Sequence, residues 1–229
     1  MLNIDSTKKI KSFSTKDYVY EILRENIISL AIEPGQQISE KEISDLLQVS
    51  RTPVREAFVK LAQEELLEVF PQRGTKIALI DLYHVEEARF IREHLERATV
   101  RVACEDFPEE KLKDLEANLQ LQKKCVAEKN FTRLFELDEE FHKIIAEGSG
   151  KERIWALIQQ MNAHLNRIRM LSLAANYNWE LILSQHEKIF TAIKEKNADL
   201  GEKAMEEHLK KLLFEQEKLK SEYQQYFKQ

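Results

Sequence analysis

The chain is poor in the residues that interrupt regular structure. Its 229 positions include only 5 glycines and 4 prolines. That scarcity disfavours a turn-rich all-β architecture, a collagen-like chain or a glycine-rich linker. Cysteine is as sparse: Cys104 and Cys125 are the 2 present. They form no C-x-x-C pair and fall in helical patterns without a histidine nearby, which suits reduced thiols and argues against a disulfide scaffold or a catalytic cysteine. No apolar run approaches the roughly 18 residues of a membrane-spanning helix, so no membrane partner is expected. The opening stretch MLNIDSTKKIKSFSTKDY lacks the apolar centre of a secretion signal, and a cytoplasmic protein is expected. Excess positive charge is missing too: 35 Lys and Arg face 40 Asp and Glu, a net charge of −5. Any contact with nucleic acid must therefore come from local patches. A hydrophobic fraction of 43% and a mean hydropathy of −0.49 describe a folded chain rather than a disordered one.

What is abundant is helical periodicity. It predicts helices over 16–31, 40–47 and 51–66, then 81–105, 109–128, 131–147, 151–174, 179–196 and 198–226. The breaks fall at turn-favouring positions: Asp106-Phe107-Pro108, Asn130, Gly148-Ser149-Gly150, Asn176-Tyr177-Asn178 and Asn197. Between the two groups, VFPQRGTKI at 69–77 reads as a small β-hairpin. No solenoid-type repeat is present. The expectation is a mainly α protein in two domains. Residues 1–77 form a helix-turn-helix with a hairpin wing, and residues 78–229 form an all-α bundle of six helices, large enough to fold alone.

In the first domain Ser39 and Glu42 make a capping box, opening a short helix that should bury Ile43, Leu46 and Leu47. After the turn Gln48-Val49-Ser50, RTPVREAFVKLAQEELL starts a second helix, with Ser50 or Thr52 as cap and Pro53 tolerated in its first turn. Val54, Phe58, Leu61 and Ala62 face inward. Arg51 and Arg55 stand four apart at the exposed amino-terminal end, where a helix-turn-helix presents side chains to guanine edges. The loop Gln72-Arg73-Gly74 resembles a wing, with Arg73 at its tip and Gly74 permitting close approach to a sugar-phosphate backbone. Residues 1–77 are not basic overall, with 11 Lys and Arg against 12 Asp and Glu. Positive charge is nevertheless clustered: Lys8, Lys9, Lys11 and Lys16 precede the first helix, while Arg51, Arg55, Lys60, Arg73 and Lys76 sit on the reading elements. A helical hairpin with solvated arginines is the competing reading.

The run IEPGQQISEKEISDLLQVSRTPVREAFVKLAQEELLEVFPQRGTKI resembles the winged helix-turn-helix signature of the GntR family of bacterial transcription regulators. VSRTPVREA and the trailing RGT are its most specific parts. The resemblance implies that Lys41, Arg51, Thr52, Arg55, Arg73 and Gly74 contact operator DNA, with the recognition helix in the major groove and the wing in the minor groove.

In the second domain the 6 histidines of the chain separate by helical face. Asp138 and His142 lie one turn apart inside the stripe Phe131, Leu134, Phe135, Phe141, Ile145. His186 falls among Ile182, Leu183, Ile189, Phe190 and Ile193. His208 is flanked by Ala204, Met205 and Leu212, with Lys211 blurring the stripe, and His164 lies between Met161, Ile168 and Leu171. His84 and His94 are off their stripes and read as surface residues. A buried carboxylate is costly unless paired or bound to a cation, and bundle helices can converge side chains on one interior point. Asp138 with three imidazoles suits a divalent transition metal: Zn first, then Ni, Mn or Fe.

IREHLERATVRVA, then DEEFH, then two spaced histidines resemble the FCD ligand-binding domain of the FadR-like branch of GntR regulators, in its shorter metal-binding variant. That resemblance implies Asp138, His142, His186 and His208 as ligands, His164 as effector-pocket lining, and a small carboxylate effector. Arg92, inward with Val85, Ala88, Leu95, Glu96 and Thr99, can clamp such an anion; a salt bridge to Glu96 is the alternative. Arg167 or Arg169 can also reach the cavity. The function expected is a metabolite-responsive regulator, a homodimeric repressor reading a palindromic operator. Two alternatives remain: a metal-dependent hydrolase with a DNA-targeting domain, and a regulator whose metal is purely structural.

Overall fold

The computed structural model describes residues 14–70, 73–175 and 179–229, apart from the side chains of 212–214. The amino-terminal elements are α1 (Thr15–Ile28), β1 (Gln37–Ile38), α2 (Glu40–Leu47), α3 (Arg51–Gln63), β2 (Leu67–Phe70) and β3 (Gly74–Ile77). Ser39 caps α2, its hydroxyl accepting from the Glu42 amide at 3.1 Å, and Gln48 in the left-handed region ends that helix. Ser50 holds the cap position of α3 but makes no side-chain capping bond. Val54, Ala57, Phe58 and Leu61 of α3 are buried, and α1 and α2 both pack on this helix. The expected burial of Leu46 does not occur; it is 49% exposed. The covered face of α2 passes instead through Ile43, Ser44 and Leu47, with the Ser44 hydroxyl donating to the Val49 carbonyl at 2.7 Å.

The three strands form an antiparallel sheet in the order β1-β3-β2. The hairpin is set by Leu67 opposite Ile77 and Phe70 opposite Gly74. β1 joins through Gln37 opposite Lys76, a strand of 2 residues too short to leave any period in the sequence. Gly74 has φ +97, and a Cβ there would meet nothing within 4 Å. The wing therefore needs glycine for its backbone conformation, not for space. Gly74→Ala is expected to cost about 1–2 kcal/mol, read as a lower denaturant midpoint of the amino-terminal unit. Gln72 lies outside the described residues.

The second unit comprises α4 (Leu82–Glu105), α5 (Glu109–Glu128), α6 (Phe131–Gly148), α7 (Glu152–Met161), α8 (Ala163–Ala174), α9 (Trp179–Lys194) and α10 (Ala198–Glu222). All six expected segments are helical, but the fourth is divided. Asn162, fully buried with φ −81 and ψ 1, separates α7 from α8, and asparagine is a poor helix-interior residue. The expected break at 176–178 lies outside the described residues. One core cluster gathers Val100, Leu115, Phe141, Ile145, Ile189 and Met205; a second gathers Cys125, Leu134, Leu173, Trp179 and Ile182. Burial pushes the Cys104 thiol up to about 11 and raises Cys125 as well, so neither is a ready nucleophile. α4 and α10 run antiparallel, joined by Arg101–Asp199 at 2.8 Å, Arg97–Glu202 at 2.7 Å and Lys210–Glu93 at 3.6 Å.

The chain end departs from the expected bundle. After α10 comes a 3-10 turn at Gln224–Tyr226, and Phe227 then forms a parallel bridge with Ile80. The Ile80 amide donates to the Tyr226 carbonyl at 2.8 Å and the Lys228 amide to the Ile80 carbonyl at 2.9 Å. Contacts accordingly group the residues up to Leu82 with Lys220–Gln229, and Tyr83–Leu219 separately. The tail, expected with the bundle, belongs to the amino-terminal unit because Phe227 is only 3% exposed there. Phe227→Ala is expected to lower that unit's stability by about 3 kcal/mol, measured by chemical denaturation. No helix of the described residues is long and apolar enough to cross a membrane.

Candidate functional site

The amino-terminal unit presents Lys41, Arg51, Thr52, Arg55, Arg73 and Gly74 at its surface, all exposed. Lys41 sits in the first turn of α2, Arg51, Thr52 and Arg55 in the first two turns of α3, and Arg73 and Gly74 on the wing. The two arginines of α3 are not equivalent. Arg55 is held by Glu40, Nη2 to Oε2 at 3.1 Å, which raises its pKa. Arg51 makes no ion pair among the described residues. Lys60 is also engaged, its Nζ lying 3.4 Å from the centre of the Tyr20 ring.

In the helical unit, α6 carries Asp138 and His142, α9 carries His186 and α10 carries His208; all four are buried. One ligand-type atom from each lies within 4.8 Å of the others. His142 Nε2 is 3.1 Å from His208 Nε2, and His186 Nε2 is 3.3 Å from the same atom. Asp138 Oδ1 lies 3.6 Å from His186 Nε2 and 4.0 Å from His208 Nε2. Donor atoms this close together would need only small side-chain adjustments to be shared by one divalent ion.

The opposite ring nitrogens explain the orientation. His186 Nδ1 faces Gln122 Oε1 at 2.8 Å and His208 Nδ1 faces Gln185 Oε1 at 3.2 Å. His142 Nδ1 lies against Glu96 Oε2. The two amide oxygens call for a proton on Nδ1 of His186 and His208, and the Glu96 carboxylate beside His142 favours the same there, which leaves three Nε2 lone pairs pointing at one another. Such lone pairs repel unless a cation or a proton stands between them. Burial lowers the pKa of His186 to about 3 and that of His208 below its usual value, so protons are poorly suited to the task. A divalent cation fits, and oxygen acceptors behind ligating imidazoles are the usual outer support of such a centre. Asp138 is ready as a ligand: burial pushes its pKa up, but Arg169 and the three imidazoles outweigh that and keep it ionised.

Beside the cluster lies a cavity of about 60 Å³, lined among others by Arg92, Asp138, Arg169 and His208. Arg92 makes the salt bridge to Glu96 and also lines the cavity. Its Nε is bonded to Glu96 Oε1, while its Nη2, buried, has no hydrogen-bond partner among the described residues. Glu96 thus joins Arg92 to His142; burial raises its pKa but Arg92 and His142 bring it down to about 2. Of the two arginines left open on α8, Arg169 enters the cavity, paired with Asp138 and Glu139. Arg167 does not line it.

His164 is a correction. It is buried as expected, but it does not line this cavity; its Nδ1 is 2.9 Å from Arg167 Nη2. Its ring packs edge-on against His84, centroids 5.1 Å apart, which also makes His84 half-buried rather than a surface residue. His94 is exposed as expected. Sequence reasoning missed Gln122, Gln185 and the link from Glu96 to His142. Only the last left a trace, since Glu96 shares the inward stripe of α4.

A helix pair with an exposed arginine-bearing second helix and a hairpin wing defines a winged helix-turn-helix DNA-binding protein, here joined to an all-helical domain. The sequence matches the family described as "Bacterial regulatory proteins, gntR family" over residues 15–77 and the "FCD domain" over residues 87–211. The chain belongs to the GntR family of transcription regulators, in the FadR-like branch that carries an FCD domain. It is 37% identical over 85% of both chains to the "HTH-type transcriptional repressor RspR" of Escherichia coli strain K12. It is 32% identical, over 89% of this chain and 85% of the other, to an "Uncharacterized HTH-type transcriptional regulator in unstable DNA locus" of Streptomyces ambofaciens. The solved structure "E. coli McbR/YncC" shares the fold, with a TM-score of 0.77 at 21% identity over 93% of this chain and 99% of that one. Both sequence relatives are named as transcriptional regulators, and the chain is a regulator of this family, not an enzyme. The hydrolase alternative falls with that.

Proposed function

We propose that the chain is a homodimeric, operator-binding repressor whose helical domain holds a divalent metal through Asp138, His142, His186 and His208 and senses a small carboxylate. The observation that carries this is the convergence of three Nε2 atoms, each ring with an oxygen behind it, next to a cavity lined by Arg92, whose Nη2 is buried without a hydrogen-bond partner among the described residues. When bound, the metal would supply a positive centre that draws a carboxylate oxygen toward the cluster. Arg92 and Arg169 orient the anion from the side, and Glu96 ties Arg92 to the ring of His142. At about 60 Å³ the cavity has room for roughly four to six waters, which suits a small acid rather than a sugar or nucleotide. Repression is supported by the name of the E. coli relative at 37% identity. Lys41, Arg51, Thr52, Arg55, Arg73 and Gly74 form the operator-reading surface, with a symmetric dimer matching a palindrome. An operator-binding role is in keeping with a cytoplasmic protein.

Effector and operator must alter each other's affinity by the same factor. Operator titrations of the zinc-loaded protein, with and without a carboxylate that binds by calorimetry, are expected to differ about 5- to 150-fold in affinity. An unchanged operator affinity would leave the metal a structural role only.

A further inference from the structure

Building on the carboxylate reading above, we infer that the effector is a short α,ω-dicarboxylate, whose second anionic end is bound by Arg89 and Lys211. Three helices line the cavity with residues spaced three apart: Arg89 and Arg92 on α4, Arg169 and Ser172 on α8, His208 and Lys211 on α10. Three residues of helix rise about 4.5 Å, so each helix supplies two levels.

The levels align. On α10, His208 belongs to the metal cluster and Lys211 lies one turn further on. α4 runs antiparallel to α10, with Arg101 at Asp199, Arg97 at Glu202 and Glu93 at Lys210. Moving back along α4 to Arg89 therefore advances along α10 past Lys210, to the level of Lys211. α8 runs with α10: Arg169 pairs with Asp138 beside His208, while the Ser172 hydroxyl donates to Glu215, which also holds Lys211 Nζ at 2.6 Å. Arg92, Arg169 and His208 thus make one level, and Arg89, Ser172 and Lys211 the other.

Charge and walls agree with this. The charged side chains lining the cavity, among the described residues, are four cations and a single carboxylate, Asp138. The acids that pair with Arg89 and Lys211, namely Glu86, Glu93 and Glu215, do not line it. Apolar side chains, Leu165, Leu173, Ile182 and Leu209, complete the wall and suit a methylene chain. A monocarboxylate would satisfy the metal level and leave the second level facing its alkyl end. Two carboxylates separated by about one helical turn, as in acids of about four or five carbons, engage both.

The test is calorimetry of the zinc-loaded, full-length protein with propionate, butyrate, malonate, succinate and glutarate. Succinate or glutarate is expected to bind at least about tenfold more tightly than butyrate. Lys211→Gln is expected to remove most of that advantage. Equal affinity for butyrate and succinate overturns the second level while the carboxylate reading stands. So does an equal loss of both ligands in Lys211→Gln. If no acid of the series binds, both readings fail.

Discussion

His186→Ala is expected to strip the protein of its metal. Elemental analysis of the variant purified without chelator should find less than about a tenth of an ion per chain, against about one in the parent. His186 is fully buried, stacked on Phe141 with centroids 4.3 Å apart, and its Nε2 is one of three aimed at a common point. Alanine leaves a gap no neighbour can fill with a donor, and the remaining ligands lose the shell that made binding worthwhile. Gln122→Leu tests the same idea one bond further out. It frees the Nδ1 proton of His186 and so the orientation of the ring, with an expected loss of about 10- to 100-fold in metal affinity. His164→Ala is the matched control, a buried histidine outside the cluster, and should retain its ion. Full metal occupancy in His186→Ala would overturn the assigned ligand set.

That contrast between His186 and His164 marks how far the sequence could be read. Both fall on apolar stripes and both are buried, because helical periodicity reports which way a side chain faces. Which interior point it faces is decided by neighbouring helices, and there the two part: His164 meets Arg167 and His84, whereas His186 meets His208 and Gln122. Asp138 and His142 were legible because they lie one turn apart on one helix. The supporting oxygens were not, since Gln122 is 64 positions from His186 and no spacing rule spans that distance. The amino-terminal unit was more transparent, as caps, the reading helix and the wing are local features. Its errors were also local: Leu46, on an 8-residue helix whose buried face turns through Ser44, and a strand of 2 residues. The tail escaped because helical period continues past Glu222 while Phe227 is buried against a distant segment.

Arg51→Ala is expected to weaken specific operator binding by about 1–3 kcal/mol, roughly 5- to 150-fold, while binding to random duplex changes far less. The difference between the two arginines of α3 sharpens this. Arg55 enters any complex from an existing pair with Glu40, whose carboxylate it must share or release. Its net contribution is reduced by what is given up, so Arg55→Ala should cost less than Arg51→Ala. Glu40→Gln should then tighten operator binding, since it removes both the competing partner and a negative charge from beside the phosphate backbone. In the double variant Glu40→Gln, Arg55→Ala that gain should shrink to the purely electrostatic part, which a salt series isolates. Electrophoretic or anisotropy titrations at two salt concentrations check all four proteins. Equal losses on operator and random duplex for Arg51→Ala would remove its base-reading role and leave it a phosphate contact.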